Sequence, residues 1–303
     1  MIAINVLNKK VEKLVAKHIV SVNPTIKIDG TCCLIRNGQL FKRYDRKLNT
    51  RGSIKNKSFQ KQLQSSEDKE NILKFSITED YKEGPEGWIP CDSDKHLFES
   101  EQATSSSQHL VGWVPVNFSD NADKWHSTAV AKSKKDGEMY CLLLMPYYDE
   151  ITKQAEFRVE MKKLKDLDNQ TLELVGCKIN GNVYNFPKQE KQHFLVPHGM
   201  ASFAWDSERN NFLQNLKGLN LDNLKTWFED ADNLMSKSEG VVFHIIYKDS
   251  PSDENNRTML IKIHRHHLNL KWPLKTDQQV QYQFKQEWLD VVTQLKADFD
   301  FVA

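Results

Sequence analysis

Apolar and polar positions alternate over short runs along most of this chain, and a helical period surfaces at only three places. TIKIDGTCCLIR (25–36) and QLFKRYD (39–45) are β-rich. They are joined by Asn37-Gly38, whose tolerance of positive φ predicts a hairpin. Further strands are predicted at YCLLLMP (140–146), AEFRVEM (155–161), QTLELVG (170–176), HFLVP (193–197), ASFAW (201–205), GVVFHIIY (240–247) and TMLIKIH (258–264). KINGNVYNF (178–186) carries another Asn-Gly and reads as a second hairpin. Helical spacing appears at Val11, Leu14, Val15 and Ile19, at Leu224, Trp227, Phe228 and Ala231 within 221–235, and from Phe284 through Trp288, Val291, Val292 and Leu295 to Phe299.

Residues 48–110 fit neither period. QSSEDKE and ESEQATSSSQHL are polar and Ser/Glu-rich, which predicts an insertion with flexible parts rather than a separate domain. GWIP (87–90) and GWVP (112–115) repeat a tetrapeptide, too few copies for a repeat architecture. Many strands with few helices between them predict an α+β fold of antiparallel sheets with flanking helices. The organisation expected is one domain over 1–275 that contains the insertion, with a C-terminal helix in 276–303 packed on it.

Composition adds exclusions. A 303-residue chain with 39% hydrophobic and 27% charged residues is an ordinary globular protein, not a disordered one. No apolar run approaches the ~20 residues of a membrane helix, and the N-terminus lacks the apolar block of a secretory signal. Five cysteines without a CxxC fit a reduced, soluble, intracellular protein. Net charge is +1, yet Lys42, Arg43, Arg46, Lys47, Arg51, Lys55, Lys57 and Lys61 face one acid, Asp45, in a single stretch. Such a stretch is either a solvated basic loop or a seat for a polyanion.

Four short signals carry the candidate chemistry, in this order: Lys27-Ile-Asp-Gly30, Glu173-Leu-Val-Gly176, Glu239-Gly-Val-Val242 and Leu260-Ile-Lys262-Ile-His264. Each alone is weak, and their order and strand contexts are what make them informative. A lysine attacks only after losing its proton, which nearby cations and desolvation favour. Arg43, Arg46 and Lys262 would supply positive charge if the strands converge on one cleft, and Lys262 suits phosphate oxygens as a point charge. HRHH (264–267) lacks the complementary cysteines of a zinc site. Cys32-Cys33 read as buried strand cysteines rather than as catalytic thiols.

Together the four signals resemble the motifs of the covalent-lysine nucleotidyltransferases: DNA ligases, RNA ligases and mRNA capping enzymes. With RYDRK (43–47), WHSTAV (125–130), QTLELVGCKINGN (170–182), PHG (197–199), WFED (227–230) and IKIHRHHLNLKWP (261–273), the chain resembles the animal-type ATP-dependent 5′–3′ RNA ligases. That resemblance implies a nucleotidyltransferase (adenylation) domain in which Lys27 takes AMP from ATP. The partner would be RNA with 5′-phosphate and 3′-hydroxyl ends, with no membrane and no obligate protein partner. Nucleotide contacts would fall to Ile26, Asp29, Gly30, Arg43 or Arg46, Glu173, Glu239, Lys262 and His264. Mg2+ or Mn2+ would sit on Glu239 and Asp29 would shape the lysine loop, while Phe194 is either the aromatic that stacks on adenine or a core residue of its strand. The pattern departs where a second lysine is usual and His264 stands instead, a group only partly charged near neutral pH. About forty residues follow Lys262 and read as one helix, so no C-terminal OB-fold is expected. A DNA ligase, a capping guanylyltransferase and an inactive nucleic-acid-binding relative remain the alternatives.

Overall fold

The alternating runs become strands, and the chain is an α+β protein in which sheet dominates. In this computed structural model, residues 18–65, 73–91, 104–105, 107–149, 154–202, 210–216, 219–233, 236–252, 254–275 and 282–302 are described. Val11, Leu14 and Val15 lie outside them, and Ile19 belongs to a strand rather than a helix.

Four strands come first: β1 (His18–Lys27), β2 (Thr31–Arg36), β3 (Gln39–Arg43) and β4 (Arg46–Lys47). Helix α1 (Thr50–Ser65) and strands β5 (Phe75–Ser76), β6 (Ile89–Pro90), β7 (Thr104–Ser105) and β8 (His109–Leu110) occupy the 48–110 region. Then follow β9 (Gly112–Pro115), the short α2 (Lys124–Ser127), β10 (Val130–Ser133), β11 (Met139–Asp149), β12 (Gln154–Lys163), β13 (Thr171–Val175) and β14 (Phe194–Pro197). The chain ends with α3 (Leu221–Glu229), β15 (Gly240–Lys248), β16 (Arg257–His264), α4 (Gln286–Leu295) and β17 (Phe299–Phe301).

Two sheets organise the molecule. A small antiparallel sheet runs β1-β15-β16, and a large one runs β17-β10-β11-β14-β13-β2-β3-β9-β6, with β12 on β11. All pairs are antiparallel except β11 with β14. The main core fills the space between the sheets. Ile26, Val241, Phe243, Ile261 and Ile263 come from the small sheet, and Leu142, Leu144, Val175, Phe194 and Val196 from the large one. α3 closes it with Leu224, Trp227 and Phe228, and α4 with Trp288 and Val292. A second core covers the opposite face of the large sheet around Cys33, Ile35, Leu143, Leu172 and Leu174.

The β2–β3 hairpin forms as predicted, with Asn37 at φ 51° and Gly38 at φ 69°. The second predicted hairpin does not. Residues 176–186 form a loop with Asn180, Gly181, Asn182 and Asn185 at positive φ. Its flanks, Ile179, Val183, Tyr184 and Phe186, are buried in the cores instead of pairing with each other. The helix predicted over 221–235 stops at Glu229, where Asp230 turns extended. Phe299, expected on the terminal helix, lies on β17 and pairs with β10.

The 48–110 region holds more order than its composition predicts. Among its described residues, Phe75, Ile77, Tyr81 and Leu110 make a small core of their own. Buried Asp80 receives Arg51 and Lys55 from α1 at 3.3 and 3.1 Å. The repeated tetrapeptides pair with each other, Ile89 opposite Trp113 and Pro90 opposite Gly112. No helix among the described residues is long and apolar enough to cross a membrane.

Beneath the large sheet, His126 and His193 are held neutral. Burial pushes both imidazoles down to about 4. Both His126 ring nitrogens and His193 Nε2 are buried with no hydrogen-bond partner among the described residues. The unfolded chain protonates these groups near pH 6.5, whereas the folded chain does so only near 4. Between those values the unfolded state binds more protons, so stability is full above pH 6.5 and falls as pH drops towards 4. Each histidine accounts for up to about 3 kcal/mol. Urea midpoints at pH 7.5 and 5 should therefore differ, and His126→Gln should shrink the difference. Equal midpoints for the wild type would contradict the buried neutral pair.

Candidate active site

The small sheet ends where the four signals meet. Lys27, the last residue of β1, is registered opposite Gly240, and Gly240 opposite His264. Glu239 precedes Gly240 directly, which puts lysine, glutamate and histidine at one sheet edge. Lys27 Nζ donates to Glu239 Oε2 at 2.6 Å, and His264 Nδ1 lies 3.1 Å from Glu239 Oε1. A Cβ on Gly240 would collide with the Ile263 carbonyl, so this close approach of strands needs glycine. Burial opposes ionisation of Glu239, yet the bonds from His264 and Lys27 hold its carboxyl below the usual range. The direct partner of Lys27 is thus an anion, not the cations the sequence predicts. Two of those cations stand one step away: Cys32 feels the fields of Arg43 and Lys262 together with that of Lys27. Lys262 is exposed and lies two residues from His264, on the same face of β16.

After Lys27 the chain crosses from the small sheet to the large one through Ile28-Asp29-Gly30, and this crossing is tightly held. The Asp29 N–H donates to the Tyr184 hydroxyl at 2.8 Å. Asn180 Nδ2 donates to Asp29 Oδ1 at 2.8 Å, and Trp272 Nε1 to Oδ2 at 2.6 Å. Asn180 also reaches the Gly30 carbonyl at 2.5 Å. Gly30 sits against Leu174 and Glu173, leaving no room for a Cβ. The left-handed loop at 176–186, where the sequence predicts a hairpin, thus places Asn180 and Tyr184 on the lysine loop.

Beside this crossing opens a cleft of about 710 Å³, bordered by Gly30, Cys32, Arg43, Lys47, Lys82 and Glu173. Its size suits a nucleotide. Glu173, almost fully buried on β13, accepts from His198 Nε2 at 2.8 Å. Arg43 is anchored by Asp45 through two bonds, at 2.8 and 2.9 Å.

Four predicted contacts fall elsewhere. Arg46 turns from the cleft, donating to the Lys82 carbonyl at 2.7 Å and lying 5.2 Å over Trp88. The Ile26 side chain is in the core, and its N–H donates to the Ala201 carbonyl. Phe194 is fully buried beside Phe186 and Trp288, so adenine cannot reach it. His264 is engaged by Glu239 and by the His266 and His267 rings rather than aimed into the cleft. Arg265, the next residue, points inward and is buried.

Tyr184, Asn180, Trp272 and His198 are the site residues that sequence reasoning did not single out. Their only signal was membership of the KINGNVYNF, KWP and PHG blocks. As for a divalent cation, Mg2+ binds through one or two carboxylates plus phosphates and water. Glu239 fits that role as a single carboxylate once Lys27 or His264 releases an oxygen.

A family model described as RNA ligase 1 matches residues 1–297 of this chain. Proteins named RNA ligase 1 are similar to it in several vertebrates. The one from Pongo abelii is 33% identical over 267 residues, 86% of this chain and 72% of the relative. The Rattus norvegicus protein is 34% identical over 270 residues, 87% of this chain and 72% of its own. That of Danio rerio is 31% identical over 255 residues, covering 82% and 68%.

Proposed function

The chain belongs to the RNA ligase 1 family, and from that premise we propose that it joins RNA ends at the expense of ATP, through a lysyl-AMP formed on Lys27. The observation that carries this reading is the meeting of Lys27, Glu239 and His264 at one sheet edge, with Glu173 and Arg43 in the adjoining cleft.

Three displacements account for the reaction. Lys27 Nζ attacks the α-phosphorus of ATP, an N–P bond forms, and pyrophosphate leaves. A 5′-phosphate oxygen of RNA then attacks the same phosphorus, releasing Lys27 and giving a 5′–5′ phosphoanhydride. A 3′-hydroxyl finally attacks the RNA phosphorus, and AMP leaves.

The protein's part is positioning and electrostatics. Glu239 holds Nζ at the sheet edge, and because its carboxyl is kept acidic it stores a proton poorly. The Nζ proton therefore passes to solvent or a phosphate oxygen. Glu173 would accept ribose hydroxyls, and Lys262, Arg43, Lys47 and Lys82 would hold phosphates of nucleotide or RNA. A magnesium ion bound at Glu239 would offset charge on the α-phosphate.

The test is incubation with α-labelled ATP and magnesium, followed by denaturing electrophoresis. An acid-labile AMP label that transfers to 5′-phosphorylated RNA is expected. No label under varied metal and pH would sink the reading, and labelling by GTP instead would move it to capping chemistry.

A further inference from the structure

Cys32, Glu173 and His198 come from three neighbouring segments and converge on one side of the cleft. Cys32 on β2 is registered directly opposite Glu173 on β13, which puts both side chains on one face. His198 follows β14, the other neighbour of β13, and its backbone N–H donates to the Thr171 carbonyl. One donor atom from each residue lies within 4.8 Å of the other two.

We propose that these three side chains form a site for a thiophilic divalent cation of the zinc class, and that this cation and the nucleotide exclude one another. The exclusion rests on the ligase reading, because it needs Glu173 for the ribose.

Donor chemistry favours this ion class. A thiolate, an imidazole and a carboxylate suit zinc or cobalt, whereas magnesium selects oxygen donors. Three protein ligands leave a fourth position, and the cleft beside Cys32 and Glu173 gives solvent access to it. Tetrahedral ligands at about 2.0–2.3 Å from a zinc ion stand farther apart than a hydrogen bond. Glu173 Oε2 and His198 Nε2, now 2.8 Å apart, would open slightly as the cation replaced the proton between them. Thr171 Oγ1 lies 3.0 Å from His198 Nδ1 and can accept from it, aiming Nε2 at the ion.

Burial, and then Glu173, push the Cys32 thiol up to about 12. It is thus no free nucleophile, and a bound cation would displace its proton. The site is distinct from Glu239, whose oxygens face Lys27 and His264. Occupancy would take Glu173 out of use for the nucleotide and place a dication beside Arg43 and Lys262.

Cobalt(II) is the probe, added to the full-length protein without nucleotide and followed by the near-ultraviolet thiolate-to-cobalt charge-transfer band. One equivalent should bind with a tetrahedral spectrum. Cys32→Ser should abolish the band, His198→Ala should raise the cobalt midpoint by about tenfold or more, and Cys177→Ser should change nothing. A wild type without the band, or a band that survives Cys32→Ser, would overturn the site. His198→Ala with an unchanged midpoint would do the same should the serine variant fail to fold.

Exclusion is read separately. Protein converted to lysyl-AMP and desalted should no longer take up cobalt, and unchanged uptake would overturn that half of the proposal. Because cobalt binding needs no adenylation, failure to form lysyl-AMP strikes the ligase reading and leaves the site to be judged by the unadenylated protein.

Discussion

Lys27→Ala is expected to reduce covalent AMP labelling below detection while leaving the sealing of RNA already carrying a 5′–5′ adenylate largely intact. In the proposed reaction the lysine charges the RNA, and an activated end bypasses that step. Lys27→Arg separates the nucleophile from its ion pair. Its guanidinium can still meet Glu239 but cannot attack, so label should vanish with little change in melting. Lys27→Ala additionally takes from Glu239 its ammonium partner and leaves it the contact with His264. The pair is mostly shielded from solvent, with side-chain exposures of 19% and 15%, so a loss of about 1–3 kcal/mol is expected. Labelling that survives in either variant would remove Lys27 from the reaction. A failure of Lys27→Ala on preadenylated RNA would mean that Lys27 also works after charging.

What could be read ahead of the structure divides by how local the cause is. The β2–β3 hairpin was legible because Asn37-Gly38 sets its own backbone angles. β15 and β16 were legible because alternate residues of each are buried. The ladder between Ile89-Pro90 and Gly112-Trp113 was not, since neither tetrapeptide specifies a partner. α1 was hidden for a different reason: the positions it shields from solvent include Gly52, Ser53 and Asn56, so no apolar stripe marks it. The second Asn-Gly misled because a turn signal fixes φ without fixing what the flanks do. Here Tyr184 goes into the core and its hydroxyl meets Asp29.

The candidate site shows the same division. Its four signals could be named from sequence, but Lys27 and Glu239 are 212 residues apart, and their direct pairing emerges only from the β1–β15 register. Charge counting also misplaced Arg46. It lies next to Lys47 on a two-residue strand, and adjacent strand residues face opposite ways, so only one of them borders the cleft.

Arg265→Leu should be the most destabilising of the substitutions considered, and it should also loosen Glu239. Arg265 is 4% exposed and pairs with no carboxylate among the described residues. Its Nε donates to the Ser238 carbonyl at 2.9 Å, and its Nη2 to the Phe228 and Ser236 carbonyls at 2.8 and 2.9 Å. Its backbone N–H donates to the Glu239 carbonyl at 3.0 Å. Burial lowers the guanidinium to about 10, still well above neutrality, so these bonds carry full charge. Leucine leaves three buried carbonyls without that donor, a loss of about 3–5 kcal/mol, which lowers the melting temperature by about 5–8 °C. Arg265→Lys should fall between, because an ammonium cannot span the same three acceptors. Since the segment from Ser236 to Glu239 is tied down through these bonds, the rate of Lys27 labelling should fall about tenfold or more even well below the melting point. Val292→Ala, which opens a cavity beside α4 and away from Glu239, supplies the control. If it slows labelling as much as Arg265→Leu at matched stability, Arg265 acts on the fold alone. If Arg265→Leu labels at the wild-type rate in the cold, the anchor does not position Glu239.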